Sequence, residues 1–134
     1  MKKQNLSIDV LRISLGIIFL WFGLLKFSSH SPALEIIKAS FSFFGNGAGR
    51  YLLAGFETVI GAGLILNIFP RIICTLLVVH LVATFGVFIL APQMMFDPYF
   101  PFLTLEGEFV FKNLALVAGG LVALEHYSHH PNFQ

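Results

Sequence analysis

Glu57 is the residue from which chemistry can be argued. It lies within Tyr51 to Phe69, YLLAGFETVIGAGLILNIF, a nearly unbroken apolar stretch long enough to cross a bilayer as a helix. The positions three and four residues away, where a helical partner would sit, are Leu53, Ala54, Ile60 and Gly61. None of them can pair with a charge. A carboxylate in hydrocarbon must then find a partner on another helix, face water or stay protonated. The outcomes are an ion pair, a ligand contact or a proton-carrying group.

The other groups able to join it are few. Lys26, Arg50, Lys112 and Asn113 are candidates for ligand binding or proton transfer, as is His80, the one histidine within the apolar segments. No catalytic residue is assigned. Each has a plainer reading. Lys112 can pair with Glu108 one helical turn earlier, Lys26 can snorkel to the interface, Arg50 suits the interface itself, and His80 suits polar packing. A haem held by two histidines needs a second one at matched depth, which the segments do not offer. His126, His129 and His130 lie at the tail and run into Pro131, so no metal site is assigned.

Composition narrows the class. Of 134 residues, 57% are hydrophobic and 11% charged, and mean hydropathy is +0.84. A soluble domain carries about 25% charged residues. The net charge of +1 leaves no basic footprint for nucleic acid. Cys74 is the single cysteine. This rules out an internal disulfide, a CxxC redox pair and a cysteine-ligated iron–sulfur cluster.

These groups must be positioned by membrane-spanning helices. The pattern predicts an all-α polytopic protein over residues 1–134, a four-helix bundle with spans at about 8–27, 50–69, 72–90 and 105–126. Lys26-Phe27-Ser28 offers no signal-peptidase site, so the first span is read as uncleaved. Asp9 and Arg12 open it, Arg12 as an interfacial anchor. Gly16 and Gly23 share one face for close helix approach. Ser31-Pro32 starts a short interfacial helix over about 32–44, with Leu34, Ile37, Phe41 and Phe44 on its apolar face. Gly45 to Gly49 reads as a flexible hinge; no GK[ST] follows, which argues against a phosphate loop. Asn67 to Arg71, with Pro70, is a tight turn. Pro92, Pro98 and Pro101 exclude a regular helix before Thr104, and the intervening aromatics suit an interfacial belt or a cap over the bundle mouth. Thr104 is the N-cap of the fourth span, and Ala115, Gly119 and Ala123 its small-residue face.

Threading then sets depth. Span 1 ends, and spans 2 and 4 begin, on the side of the two long connections. Lys26, Arg50, Glu57, Lys112 and Asn113 therefore fall in one half of the membrane, which predicts a polar pocket roofed by those connections. Basic residues divide evenly between the two faces; discounting Lys26 and Lys112, which lie within helices, favours cytoplasmic termini.

Leu11-Arg12-Ile13-Ser14-Leu15-Gly16 and Gly23-Leu24-Leu25-Lys26-Phe27 resemble the first helix of DoxX-family membrane proteins. Phe56-Glu57 with the glycines after it resembles the second. Gly107 to Leu114, GEFVFKNL, resembles the start of the fourth. The resemblance implies a four-helix bundle in a bacterial inner membrane. It also implies kinship with the membrane subunit of a thiosulfate:quinone oxidoreductase, or with small proteins linked to oxidative stress. Lys26, Glu57, Lys112 and Asn113 match the shared pattern.

Three functions follow as expectations. One is a quinone-linked oxidoreductase subunit without a redox cofactor of its own, binding quinone and drawing electrons from a partner. Another is a non-catalytic accessory or scaffold subunit of a larger complex or homo-oligomer. The third, disfavoured by four spans without a repeat, is a small anion transporter.

Overall fold

The structure, a computed structural model, describes residues 5–28 and 30–129. Lys2, Lys3, His130 and Pro131 lie outside them. Among the described residues the helices are α1 (Leu6–Phe27), α2 (Ala33–Ser40), α3 (Ser42–Gly45), α4 (Gly47–Leu66), α5 (Pro70–Thr84), α6 (Val87–Leu90), α7 (Pro92–Met95), α8 (Leu105–Phe111) and α9 (Asn113–His129). Four segments are long and apolar enough to cross a membrane: Leu6–Phe27, Gly47–Leu66, Pro70–Leu90 and Leu105–His129. The all-α, four-span architecture stands as expected.

α1 and α4 form the most intimate pair. The buried face of α1 is Arg12, Leu15, Gly16, Phe19, Gly23 and Lys26, one stripe at helical spacing. Its two glycines are the points of closest approach. A Cβ on Gly23 would fall 2.6 Å from the Thr58 backbone nitrogen, and one on Gly16 3.0 Å from the Gly61 carbonyl. Gly61 answers from α4, where a side chain would run into the backbone of Leu20.

Arg12 is not the interfacial anchor its position suggests. It is buried. Its Nη1 donates to the Leu64 carbonyl and, at 3.1 Å, to that of Ile65, while Nη2 reaches Asp9 at 3.2 Å. The last carbonyls of a helix lack intrahelical partners and carry partial negative charge, so a guanidinium from the adjacent helix satisfies both needs. α4 itself ends at Asn67, in the left-handed region at φ 57°, with Ile68 N–H donating to Gly63 at 3.0 Å. Pro70 then opens α5. The predicted tight turn is thus present.

Other boundaries differ. Gly47 and Gly49 belong to the first turn of α4, and Gly49 packs on the Phe43 backbone, so the glycine run is no flexible hinge. The interfacial helix is split into α2 and α3 at Phe41. It buries Leu34 as predicted and Ile36 besides, while Ile37, Phe41 and Phe44 of the predicted face line the cavity, Phe44 with 40% of its surface exposed. Span 3 breaks between α5 and α6 at Phe85-Gly86, and span 4 breaks at Lys112. Pro92 opens the single turn α7, because proline costs nothing where its missing N–H has no helical acceptor. Thr104 caps α8 as predicted, accepting from Gly107 N at 2.9 Å. The buried face of α9 is Gly120, Ala123 and Tyr127; Ala115 is exposed.

Two apolar clusters result. One, with Leu15, Phe19, Ile60, Leu64, Cys74, Leu77 and Tyr127, fills the half of the bundle nearest the termini. The other, with Ile36, Val87, Ala91, Met95 and Val110, lies under the connections.

Gly61→Leu is expected to force α1 and α4 apart and cost about 1–3 kcal/mol or more. Gly55→Ala, where the added Cβ meets nothing within 4 Å, should be neutral or stabilise by up to about 1 kcal/mol. Unfolding in lipid bicelles checks both.

Candidate functional site

The partner of Glu57 comes from α1 and α5 together. Lys26 Nζ lies 2.7 Å from Glu57 Oε2, and His80 Nε2 lies 2.9 Å from Oε1. The carboxylate is enclosed, with 8% of its side chain exposed, against 6% for Lys26 and 15% for His80. Each carboxylate oxygen therefore has one nitrogen partner. An ionised carboxylate only accepts, so Nε2 carries the proton of this hydrogen bond. The His80 ring is held edge-on by Phe19, centroids 5.8 Å apart, and leans on Phe56 at 5.5 Å.

The elements that deliver these groups are the ones described above. Lys26 is the last but one residue of α1, and the Gly23–Thr58 contact one turn earlier sets its height against α4. His80 follows from the turn. Glu57 lies ten residues before Asn67 and His80 ten residues after Pro70, which puts them level on antiparallel helices. That symmetry was present in the sequence and went unused while His80 was treated singly.

Lys112 stands apart from the carboxylate. Its ammonium lies over the Phe109 ring at 4.2 Å and the Phe22 ring at 5.0 Å. Among the described residues no ion pair joins it to Glu108 or to Glu57. Lys26 approaches the same Phe22 ring at 5.8 Å. Both lysines therefore approach the same aromatic ring, whose π-face attracts cations, and only one takes the acid. Asn113 Nδ2 donates to Thr84 Oγ1 at 3.0 Å, tying the break in span 4 to the end of α5. Thr84 was not anticipated; its match in depth to Asn113 depends on where the helices break. Arg50 sits at the rim, stacked on Tyr51 at 4.8 Å and donating to its hydroxyl at 2.9 Å.

A cavity of about 650 Å³ lies against this cluster. Lys26, Glu57, His80, Thr84 and Asn113 line it, and almost all the remaining lining is apolar. Arg50 and Lys112 do not line it. The first connection roofs it through Ile36, Ile37 and Phe41. The second, expected to share that role, stands behind and supplies no lining residue. Among the described residues no three His, Cys, Asp or Glu side chains gather in a way that would hold a metal ion.

The DoxX family model matches residues 7–90. The chain belongs to the DoxX family. Lys26, Glu57 and His80 all lie inside the matched DoxX region, while Lys112, Asn113 and the GEFVFKNL stretch lie beyond it. No curated protein and no solved structure gives a match.

Glu57→Gln leaves the Lys26 charge buried without its counter-charge. It is expected to cost about 3–5 kcal/mol of stability. Lys26→Met combined with Glu57→Gln should recover most of that loss, because both charges are then gone. Reversible unfolding of the wild type and the two variants in bicelles measures the recovery.

Proposed function

We propose that this DoxX-family protein is a quinone-linked subunit of a membrane redox complex, in which Lys26, Glu57 and His80 form the head-group site. The observation that carries the reading is a buried Lys26–Glu57–His80 cluster at one wall of an otherwise apolar cavity in a membrane bundle. Buried apolar pockets with a few convergent polar groups are the usual form of a small-molecule site.

The chemistry is as follows. Reducing a quinone to its hydroquinone takes two electrons and two protons. The electrons come from a partner subunit carrying a flavin, haem or thiol centre. Lys26 has N–H groups beyond the one given to Glu57, and these donate to a quinone carbonyl as negative charge develops on it. His80 supplies a proton through its ring, and Glu57 takes up and returns protons beside it. Lys26, next to the end of α1, is where the cluster comes nearest the loop face. The membrane in this proposal is a bacterial cytoplasmic membrane with both termini inside.

A second reading makes the same ion pair a clamp between α1 and α4 in an accessory subunit or homo-oligomer. Its support is the closeness of Lys26–Glu57 to the Gly23–Thr58 contact. Anion transport has less support, since Lys26, Arg50 and Lys112 each have a different partner and do not converge.

Titration of a short-chain quinone into the protein in lipid nanodiscs separates the two. In the quinone reading, His80→Phe and the Lys26→Met/Glu57→Gln pair each weaken binding roughly tenfold or more, equivalent to about 1.4 kcal/mol. In the clamp reading quinone affinity is absent or unchanged throughout.

A further inference from the structure

The cavity has two kinds of wall. Toward the loops the first connection covers it, with Ile36 almost fully buried and Phe44 at the edge, 40% exposed. Along the seam between α4 and α5 its lining includes Leu52 and Phe56 of α4, and Leu76 and Val79 of α5. These same four side chains face outward, with exposures of 63%, 38%, 37% and 63%. A residue that both lines a cavity and faces outward stands at its opening. Around a membrane-spanning segment, the outside at that level is lipid acyl chain. α4 packs far more extensively on α1 than on α5, so the α4–α5 seam is the looser side of α4. Leu52 and Phe56 are one turn apart, as are Leu76 and Val79, so each pair forms a continuous apolar edge.

The polar wall limits what can enter. Lys26 and Glu57 cancel each other at 2.7 Å. An anionic head group would meet the Glu57 carboxylate, and a cationic one would meet the Lys26 ammonium. A neutral head group bearing carbonyl or hydroxyl oxygens accepts from Lys26 and leaves the pair intact. The remaining surface suits hydrocarbon.

We infer that the cavity is loaded sideways from the bilayer. A neutral ring with a prenyl chain enters head first through the α4–α5 seam and leaves its chain between Leu52, Phe56, Leu76 and Val79. This rests on the quinone reading and adds to it the ligand's route and the neutrality of its head.

The test is photolabelling in lipid nanodiscs with an azido-benzoquinone carrying a short prenyl chain, read as labelled peptides of α4 and α5. Leu52→Trp with Val79→Trp should lower labelling roughly tenfold, and Leu52→Phe alone should lower it less. Both sites face outward, so thermal melting should match the wild type. Leu66→Trp, 66% exposed at the far end of α4, should label as the wild type does. Excess palmitate should not compete. Equal labelling of the wild type and the folded double variant would overturn the lateral route while leaving the quinone reading intact. Competition by palmitate would overturn the neutral head group. Absence of wild-type labelling would remove the quinone reading and this inference together.

Discussion

A carboxylate cannot be left in hydrocarbon, and the arrangement of this bundle follows from that constraint. An ionised side chain loses its hydration on entering the membrane interior, at a cost far larger than any single packing contact returns. Glu57 meets the cost with two partners, one for each oxygen, drawn from helices on either side of α4. Lys26 supplies the counter-charge and His80 a hydrogen bond. Because both must reach the same carboxylate, the heights of α1, α4 and α5 relative to one another are set to within about a helical turn.

The contact between α1 and α4 repeats the same solution at its two ends. At the far end from Glu57, Arg12 answers the terminal carbonyls of α4. Between the two latches, Gly16, Gly23 and Gly61 let the backbones meet. Helices in lipid gain nothing from excluding water, so close packing and internal polar contacts must hold them together. This pair uses both. α5 is held to α4 more lightly, chiefly by the short turn at one end and by His80 near its middle.

Much of this was legible in the sequence, for identifiable reasons. Long apolar runs separated by proline and glycine declare spans, and Glu57 stands out because no residue three or four positions from it can pair with a charge. Depth followed from threading alone, and it placed Lys26, Lys112 and Asn113 in one half of the membrane. Rotation about each helix axis did not follow. Lys26 and Lys112 share a depth, yet one faces Glu57 and the other lies across Phe22 and Phe109. The small-residue face of α9 was right at Gly119 and Ala123 and wrong at Ala115, for the same reason: in chains this apolar, lipid-facing and core-facing residues look alike. Arg12 was misread because an arginine near a helix end has a ready interfacial role, and the carbonyls it serves lie more than fifty residues away.

The central claim is that Glu57 is shared between Lys26 and His80. Solid-state NMR of the protein in lipid tests it directly, through dipolar couplings from a carbon-13 label at the Glu57 carboxyl to nitrogen-15 labels at Lys26 Nζ and His80 Nε2. The structure, with N–O distances of 2.7 and 2.9 Å, predicts strong coupling to both nitrogens and none to Lys112 Nζ. A carboxyl coupled to Lys112 instead, or to acyl-chain carbons with neither Lys26 nor His80 in range, would contradict it.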